Sequence, residues 1–140
     1  MKVLIDTNVI ISAALFPDGK VSYVVAHLFE SHTVVIATYS IEECKQVFLR
    51  KFPDKMYTLD KFLSSITYDS FTTPKKIDAK KFPQIRDIQD LPILASAILA
   101  DVDVLITGDK DFDDIKISKP LIFTPTKYYD LINKDVLTRT

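Results

Sequence analysis

A chain of 140 residues, 47% of them hydrophobic, is long enough to bury a core, and its two glycines and seven prolines exclude collagen-like, low-complexity or linker-rich architectures. With 18 basic and 19 acidic residues the formal net charge is -1, which argues against nucleic-acid binding by bulk electrostatics but leaves room for an acidic metal site with local lysines. The single cysteine, Cys44, rules out an intrachain disulfide framework, and Lys, Asp, Glu or Pro interrupts every apolar stretch before it could span a bilayer.

Val3-Leu4-Ile5 is a short apolar run that reads as a strand buried on both faces, and it stops at Asp6. It begins with no charged leader or cleavage site, so the expectation is one soluble, cytoplasmic domain over residues 1–140. A helix from Val9 to Phe16 should end at Pro17-Asp18-Gly19. The next helix, about Val21 to Ser31, carries Val21, Val24, Val25, Leu28 and Phe29 at three- and four-residue spacing. His27 and His32 lie on or just after it without acidic or cysteine partners at ligand spacing, and read as surface or boundary residues.

Thr33 to Ala37 is a second buried strand, after which Ser40 opens a helix to about Phe52 with Ile41, Cys44, Phe48 and Phe52 on one face. Pro53-Asp54 ends it, a helix from about Leu59 to Ile66 follows, and Tyr68 to Phe71 alternates as an edge strand. Beyond the basic stretch Pro74 to Pro83, Pro92 should hold Leu91 out of helical geometry and start a helix to Ala100. Val102 to Thr107 reads as a fourth buried strand, Asp111 to Ile115 as a short helix, Leu121 to Phe123 as a last strand and Thr126 to Ile132 as a closing helix. Strands alternating with helices predict an α/β fold: a three-layer α/β/α sandwich around a central parallel sheet of four to five strands, joined by right-handed crossovers.

Asp6 ends one buried strand, Asp109 follows another, and Asp90 stands at the start of the helix leading into the second of these. In a parallel sheet such positions converge on one crevice. Glu42 and Glu43, in the first turn of the Ser40 helix, offer a fourth acid, and helix phase does not separate them. Carboxylates gathered without matching cations repel one another, a divalent ion relieves the repulsion, and an all-oxygen donor set suits Mg²⁺ or Mn²⁺ rather than zinc. Each acid also has a local structural use. Asp6, Asp90, Asp109 or Asp111 would serve as a helix cap, Asp87 as a turn residue, and Ser40-Ile41-Glu42-Glu43 fits a capping box in which Glu43 bonds back to the Ser40 amide. No nucleophile elbow, Walker loop or dinucleotide-binding glycine motif is present, and Cys44, on an apolar face, lacks a histidine nearby in sequence.

Val3-Leu4-Ile5-Asp6-Thr7-Asn8-Val9, Ser40-Ile41-Glu42-Glu43-Cys44, Asp87-Ile88-Gln89-Asp90 with Leu94-Ala95-Ser96-Ala97, and Ile106-Thr107-Gly108-Asp109-Lys110-Asp111-Phe112 resemble, in order, the four acidic motifs of the PIN-domain ribonucleases. Within that family the chain is similar to bacterial PIN-family toxin components, and Phe123-Thr124-Pro125 resembles the family's last strand and turn. The resemblance implies Mg²⁺ or Mn²⁺ held by Asp6, Asp90 and Asp109, with Glu43, favoured over Glu42, as a direct or water-mediated ligand. Asn8 and Thr107 would orient carboxylates or water, with Asp111 and Asp87 as accessory acids.

The same resemblance implies an endoribonuclease that hydrolyses RNA to 5′-phosphate and 3′-hydroxyl ends, a candidate toxin with an antitoxin partner, and a homodimer. Lys75, Lys76, Lys80, Lys81 and Arg86 are candidate phosphate contacts, with Phe82 as a stacking partner; a solvated loop with one buried aromatic explains them equally well. Two other readings stand beside the nuclease. One is a non-catalytic module that keeps the fold for RNA or partner contacts. The other is a different α/β phosphoryl-transfer enzyme with an aspartyl nucleophile, although Asn8 occupies the place where such enzymes need a second Asp.

Overall fold

Val, Ile and Leu dominate five short strands that pair in parallel: β1 (Lys2–Ile5), β2 (Thr33–Ala37), β3 (Asp69–Phe71), β4 (Val104–Ile106) and β5 (Leu121–Phe123), in the order β3-β2-β1-β4-β5. The structure, a computed structural model, describes residues 1–139, with side chains through Lys134. Six helices accompany the strands: α1 (Thr7–Leu15), α2 (Lys20–Ser31), α3 (Thr38–Lys51), α4 (Met56–Ser65), α5 (Leu91–Leu99) and α6 (Pro125–Arg139).

Successive strand residues face opposite sides of the sheet, so each central strand feeds two cores. Val3, Ile5, Val34, Ile36, Val104 and Ile106 enter one core, closed by Ile10 of α1, Leu28 of α2, Phe48 of α3, Leu59 of α4 and Ile132 of α6. Leu4, Val35, Ala37 and Leu105 enter the other, closed by Ile93, Leu94 and Ala97 of α5 together with Phe112. This is the three-layer α/β/α arrangement that the alternating pattern predicts, with β3 at an edge. No single helix among the described residues is long and apolar enough to cross a membrane.

Several boundaries differ from the sequence expectations, each for a local reason. α1 opens at Thr7 rather than Val9 because Asp6 caps it directly at the end of β1. α3 opens at Thr38, straight out of β2, with no side-chain cap. Ser40 is therefore the third helical residue, fully buried, and its hydroxyl has no hydrogen-bond partner. The capping box is thus overturned: Glu42 and Glu43 lie beyond the first turn, and Glu43 has no Ser40 cap to complete.

Leu91 is helical (φ -59°, ψ -38°) despite preceding Pro92, because a 3₁₀ turn over Ile88–Asp90 runs directly into α5. Pro92 then sits where its missing N–H costs no helical bond. The expected helix Asp111 to Ile115 contracts to a 3₁₀ turn over Lys110–Phe112, and β4 is shorter than Val102 to Thr107. α6 begins at Pro125 and extends past Ile132.

The chain leaves β1 toward β2 and β3 on one side, then returns to lay β4 and β5 on the other. The carboxyl ends of β1 and β4 therefore flank the switch point, where open α/β sheets form their crevices.

The buried, unpartnered Ser40 hydroxyl yields a stability test. Replacing a buried polar group that lacks a partner by an apolar one is neutral or stabilising, whereas deleting a working N-cap costs about 1 kcal/mol. Ser40→Ala is expected to leave unfolding free energy unchanged or higher in urea denaturation; a loss near 1 kcal/mol would restore the cap.

Candidate metal centre

The register of the two central strands sets the first pair of acids. Ile5 stands opposite Ile106, so Asp6 and Thr107 emerge side by side, and the Asp6 N–H donates to the Ile106 carbonyl at 3.0 Å. The Thr107 hydroxyl donates to Asp6 Oδ2 at 2.7 Å and accepts from the Asp109 N–H at 3.1 Å. One side chain thereby ties the two acids together across the switch point. Asp6 Oδ1 accepts from the Thr7 N–H at 2.6 Å, and Asp109 Oδ1 from the Asp111 N–H at 2.9 Å.

Glu43 and Asp90 complete the group. Together with Asp6 and Asp109 they line a cavity of about 220 Å³ over the carboxyl edge of the sheet, with Asn8 and Tyr39 also on its wall. The Tyr39 hydroxyl donates to Glu43 Oε2 at 3.4 Å. Glu42, one residue earlier on α3, instead faces an apolar groove with Thr72, Ile77, Ile88 and Leu91. Helix geometry therefore separates the two glutamates where the sequence pattern left them equivalent.

The closest-set acids are a different trio. Asp87, Asp90 and Asp111 each offer a carboxylate oxygen within 4.8 Å of the others. The Asp87 carboxylate accepts from the Gln89 N–H at 2.9 Å and caps the 3₁₀ turn before α5. Asp90 caps nothing, and its Oδ2 is buried without a donor. Asp90 thus belongs to both groups, lining the cavity with Asp6, Glu43 and Asp109 and approaching Asp87 and Asp111 on its other side.

Burial and neighbouring charge together raise two of these carboxyls, Asp6 and Asp90. Burial pushes the Asp6 carboxyl up from its ordinary value, the bonds from Thr107 and the Thr7 N–H hold it down, and the charges of Glu43 and Asp109 raise it further. Asp90 is pushed up to about 7, first by burial, then by the Asp109 charge and by contacts with the Asp111 and Asp109 carboxyls. Oxygen donors with a buried, unpartnered carboxylate oxygen among them are the chemistry that a hard divalent cation satisfies, so the residues fit Mg²⁺ or Mn²⁺.

The remaining sequence candidates separate by position. Asn8 lines the cavity, but its side chain makes no hydrogen bond among the described residues. Lys75 borders the apolar groove, while Lys76, Lys80 and Lys81 are exposed in the segment between β3 and α5. Arg86 pairs with Asp114, and both border a separate cavity of about 510 Å³ with Asp111. None of these five cations lines the acidic cavity, and Phe82 is half-buried.

The cations that do line it are Arg50 and Lys51, which the sequence reading passed over. They stand seven and eight residues after Glu43, the spacing that returns to the same helix face, so the signal was present once Glu43 was chosen.

Cys44 is fully buried with its Sγ 3.9 Å from the Thr7 carbonyl, and burial pushes its thiol up to about 12, which removes it as a nucleophile. His27 contacts the Tyr128 hydroxyl at 3.2 Å and His32 the terminal amine at 3.3 Å; both are half-buried and away from the acids.

Comparison with known proteins identifies the family of the fold. A family model described as the PIN domain matches residues 2–111, a stretch that runs from β1 through Asp109 and Asp111. No curated protein sequence matches the chain. Among solved structures, VapBC2 from Rickettsia felis, bound to a DNA fragment from their promoter, is similar with a TM-score of 0.66 at 20% identity, over 89% of this chain and 98% of that one. At that identity the likeness is one of fold, and the family model carries the assignment: the chain belongs to the PIN-domain family.

Proposed function

We propose that this chain is a single PIN-like nuclease domain, a Mg²⁺- or Mn²⁺-dependent endoribonuclease acting in the cytoplasm as the toxin of a toxin–antitoxin pair. The observation that carries the reading is the cavity lined by Asp6, Glu43, Asp90 and Asp109 at the switch point of a PIN-family sheet. The antitoxin partner is supported by the fold likeness to VapBC2, and the homodimer by the family resemblance.

Asp6, Asp90 and Asp109 would hold the ion, with Glu43 as a direct or water-mediated ligand. When bound, the ion supplies the positive charge that polarises a phosphoryl oxygen and activates water for attack. The protein's part is placement. Thr107 fixes Asp6 and the Asp109 backbone together, and Tyr39 holds Glu43 through its hydroxyl. Asp111 and Asp87 surround Asp90 as accessory acids. The water oxygen bonds to phosphorus as the P–O3′ bond breaks, leaving 5′-phosphate and 3′-hydroxyl ends.

Cleavage of an RNA mixture by the purified protein with Mg²⁺ or Mn²⁺ tests this directly. Asp6→Asn and Asp109→Asn are expected to reduce the rate about 100-fold or more, since even the outer-shell partners of metal ligands are worth about 10–100-fold. Glu43→Gln should cost at least tenfold, while Glu42→Gln, facing the groove, should change the rate less than twofold. Undiminished cleavage in both aspartate variants would falsify the proposal.

The raised carboxyls define a pH dependence. An acid whose folded pKa exceeds its unfolded value near 3.9 stabilises the fold while protonated, and that contribution is lost as pH rises through the folded pKa. For Asp90 the window runs from about 4 to about 7 in the metal-free protein. Metal binding needs the deprotonated form, so affinity moves the opposite way. Calorimetric titration with Mn²⁺ should show affinity rising through about pH 7, with that step absent in Asp90→Asn. A flat profile would remove Asp90 from the ligand set.

Light scattering at working concentration is expected to give the mass of a homodimer; a monomer would remove that part of the proposal.

A further inference from the structure

We propose that Arg50 and Lys51, at the carboxyl end of α3, hold the phosphate next to the scissile one on single-stranded RNA, an inference that rests on the ribonuclease reading. Glu43, Val47, Arg50 and Lys51 are spaced four, seven and eight residues apart, so they form one face of α3, and that face lines the acidic cavity. At 1.5 Å rise per residue, Arg50 stands about 10 Å along the helix from Glu43. The cations therefore lie along one wall of the cavity, set apart from the acids near the strand ends.

Charge explains what they are for. A phosphodiester approaching four carboxylates meets repulsion that a cation bound among the acids offsets only locally, and the rest of the strand needs positive charge nearby. Arg50 and Lys51 are exposed, and neither forms an ion pair among the described residues, although carboxylates share their cavity. Arg50 offers a planar fork that takes two phosphate oxygens, and Lys51 a point charge beside it. By contrast Arg86 is already committed to Asp114.

A competing use exists, because cations in the last turn of a helix favour its carboxyl-end dipole. That use would be visible in stability alone and would not require the Glu43 face.

The test reads RNA affinity rather than cleavage. Binding of a fluorescein-labelled single-stranded RNA oligonucleotide is followed by anisotropy over a salt series, with Ca²⁺ in place of Mg²⁺ and intact RNA verified on a gel. The Arg50→Gln/Lys51→Gln double variant is expected to bind about tenfold more weakly. Its slope of log affinity against log salt should be shallower by about 0.7, since each phosphate neutralised on a single strand contributes about that much. Arg50→Lys, which keeps the charge, should retain most of the slope, and Lys80→Ala/Lys81→Ala should shift affinity less than twofold.

Wild-type affinity and slope in the Arg50/Lys51 double variant would overturn the proposal. So would a loss confined to melting temperature, a loss carried instead by Lys80 and Lys81, or a wild-type protein that binds no RNA. RNA held through Arg50 and Lys51 but never cut when Mg²⁺ or Mn²⁺ is supplied would sink the ribonuclease reading and leave this one standing. RNA cut with unchanged affinity and KM in the double variant would do the reverse.

Discussion

The Thr107 hydroxyl is the joint on which the acidic centre depends. It has one proton to donate, which goes to Asp6 Oδ2, and it accepts from the Asp109 N–H. Asp6 belongs to the first strand's exit and Asp109 to the fourth's, more than a hundred residues apart, and this side chain makes their separation a fixed property of the β1–β4 pairing. A slip of one residue in that register would turn Thr107 to the other face and dissolve the arrangement. The register is held in turn by strands whose residues are buried on both faces, so the two hydrophobic cores fix the site's geometry.

Magnitudes show why the centre is electrostatically unfinished. Removing a carboxylate from water costs several kcal/mol even after relaxation. Two hydrogen bonds to a charged group return about 1.5–3 kcal/mol each. For Asp6, which accepts from Thr107 and from the Thr7 N–H, the two sides are comparable, yet its carboxyl still sits above its ordinary value, so burial, helped by the Glu43 and Asp109 charges, outweighs the two bonds. Asp90 has no donor at its buried oxygen and is pushed further, to about 7. Protein donors have covered the inner carboxylate and left the outer one unsatisfied, and the deficit is concentrated where a cation would remove it.

Much of this was legible in the sequence because it depends on short-range patterns. Apolar runs ending in Asp6 and just before Asp109 placed strands and acids together, and alternation with amphipathic helices placed them in a parallel sheet. What failed was the chemistry of helix starts. Ser40 looks like a cap, yet β2 runs straight into α3 and buries Ser40 in the first turn; Pro92 looks like a boundary, yet the preceding 3₁₀ turn carries Leu91 into α5. Both misreadings arise where tertiary packing joins two elements without a loop, which local propensity cannot register. Arg50 and Lys51 escaped for another reason. A compact basic stretch between β3 and α5 draws attention by density, whereas two cations at a helix end matter only once the facing acid is known.

The choice between cap and ligand, which the sequence leaves open for every acid, turns out to divide the acids into two kinds. Asp6, Asp87 and Asp109 each spend one oxygen on a backbone N–H at the start of a helix or 3₁₀ turn, and that bond fixes the carboxylate plane. Glu43 and Asp90 cap nothing, and their oxygens are anchored by a tyrosine hydroxyl or by no donor at all. A carboxylate oxygen has two lone-pair sites, so a cap on one oxygen leaves the other uncapped in Asp87 and Asp109, and in Asp6, whose second oxygen accepts from Thr107, each oxygen keeps a site for a ligand. Capping is therefore the means by which the first kind is oriented rather than an alternative to binding. The site combines acids oriented by backbone donors with acids that no backbone donor holds, and a cation entering it would meet the first kind on the β1–β4 side and the second on the α3 and α5 side.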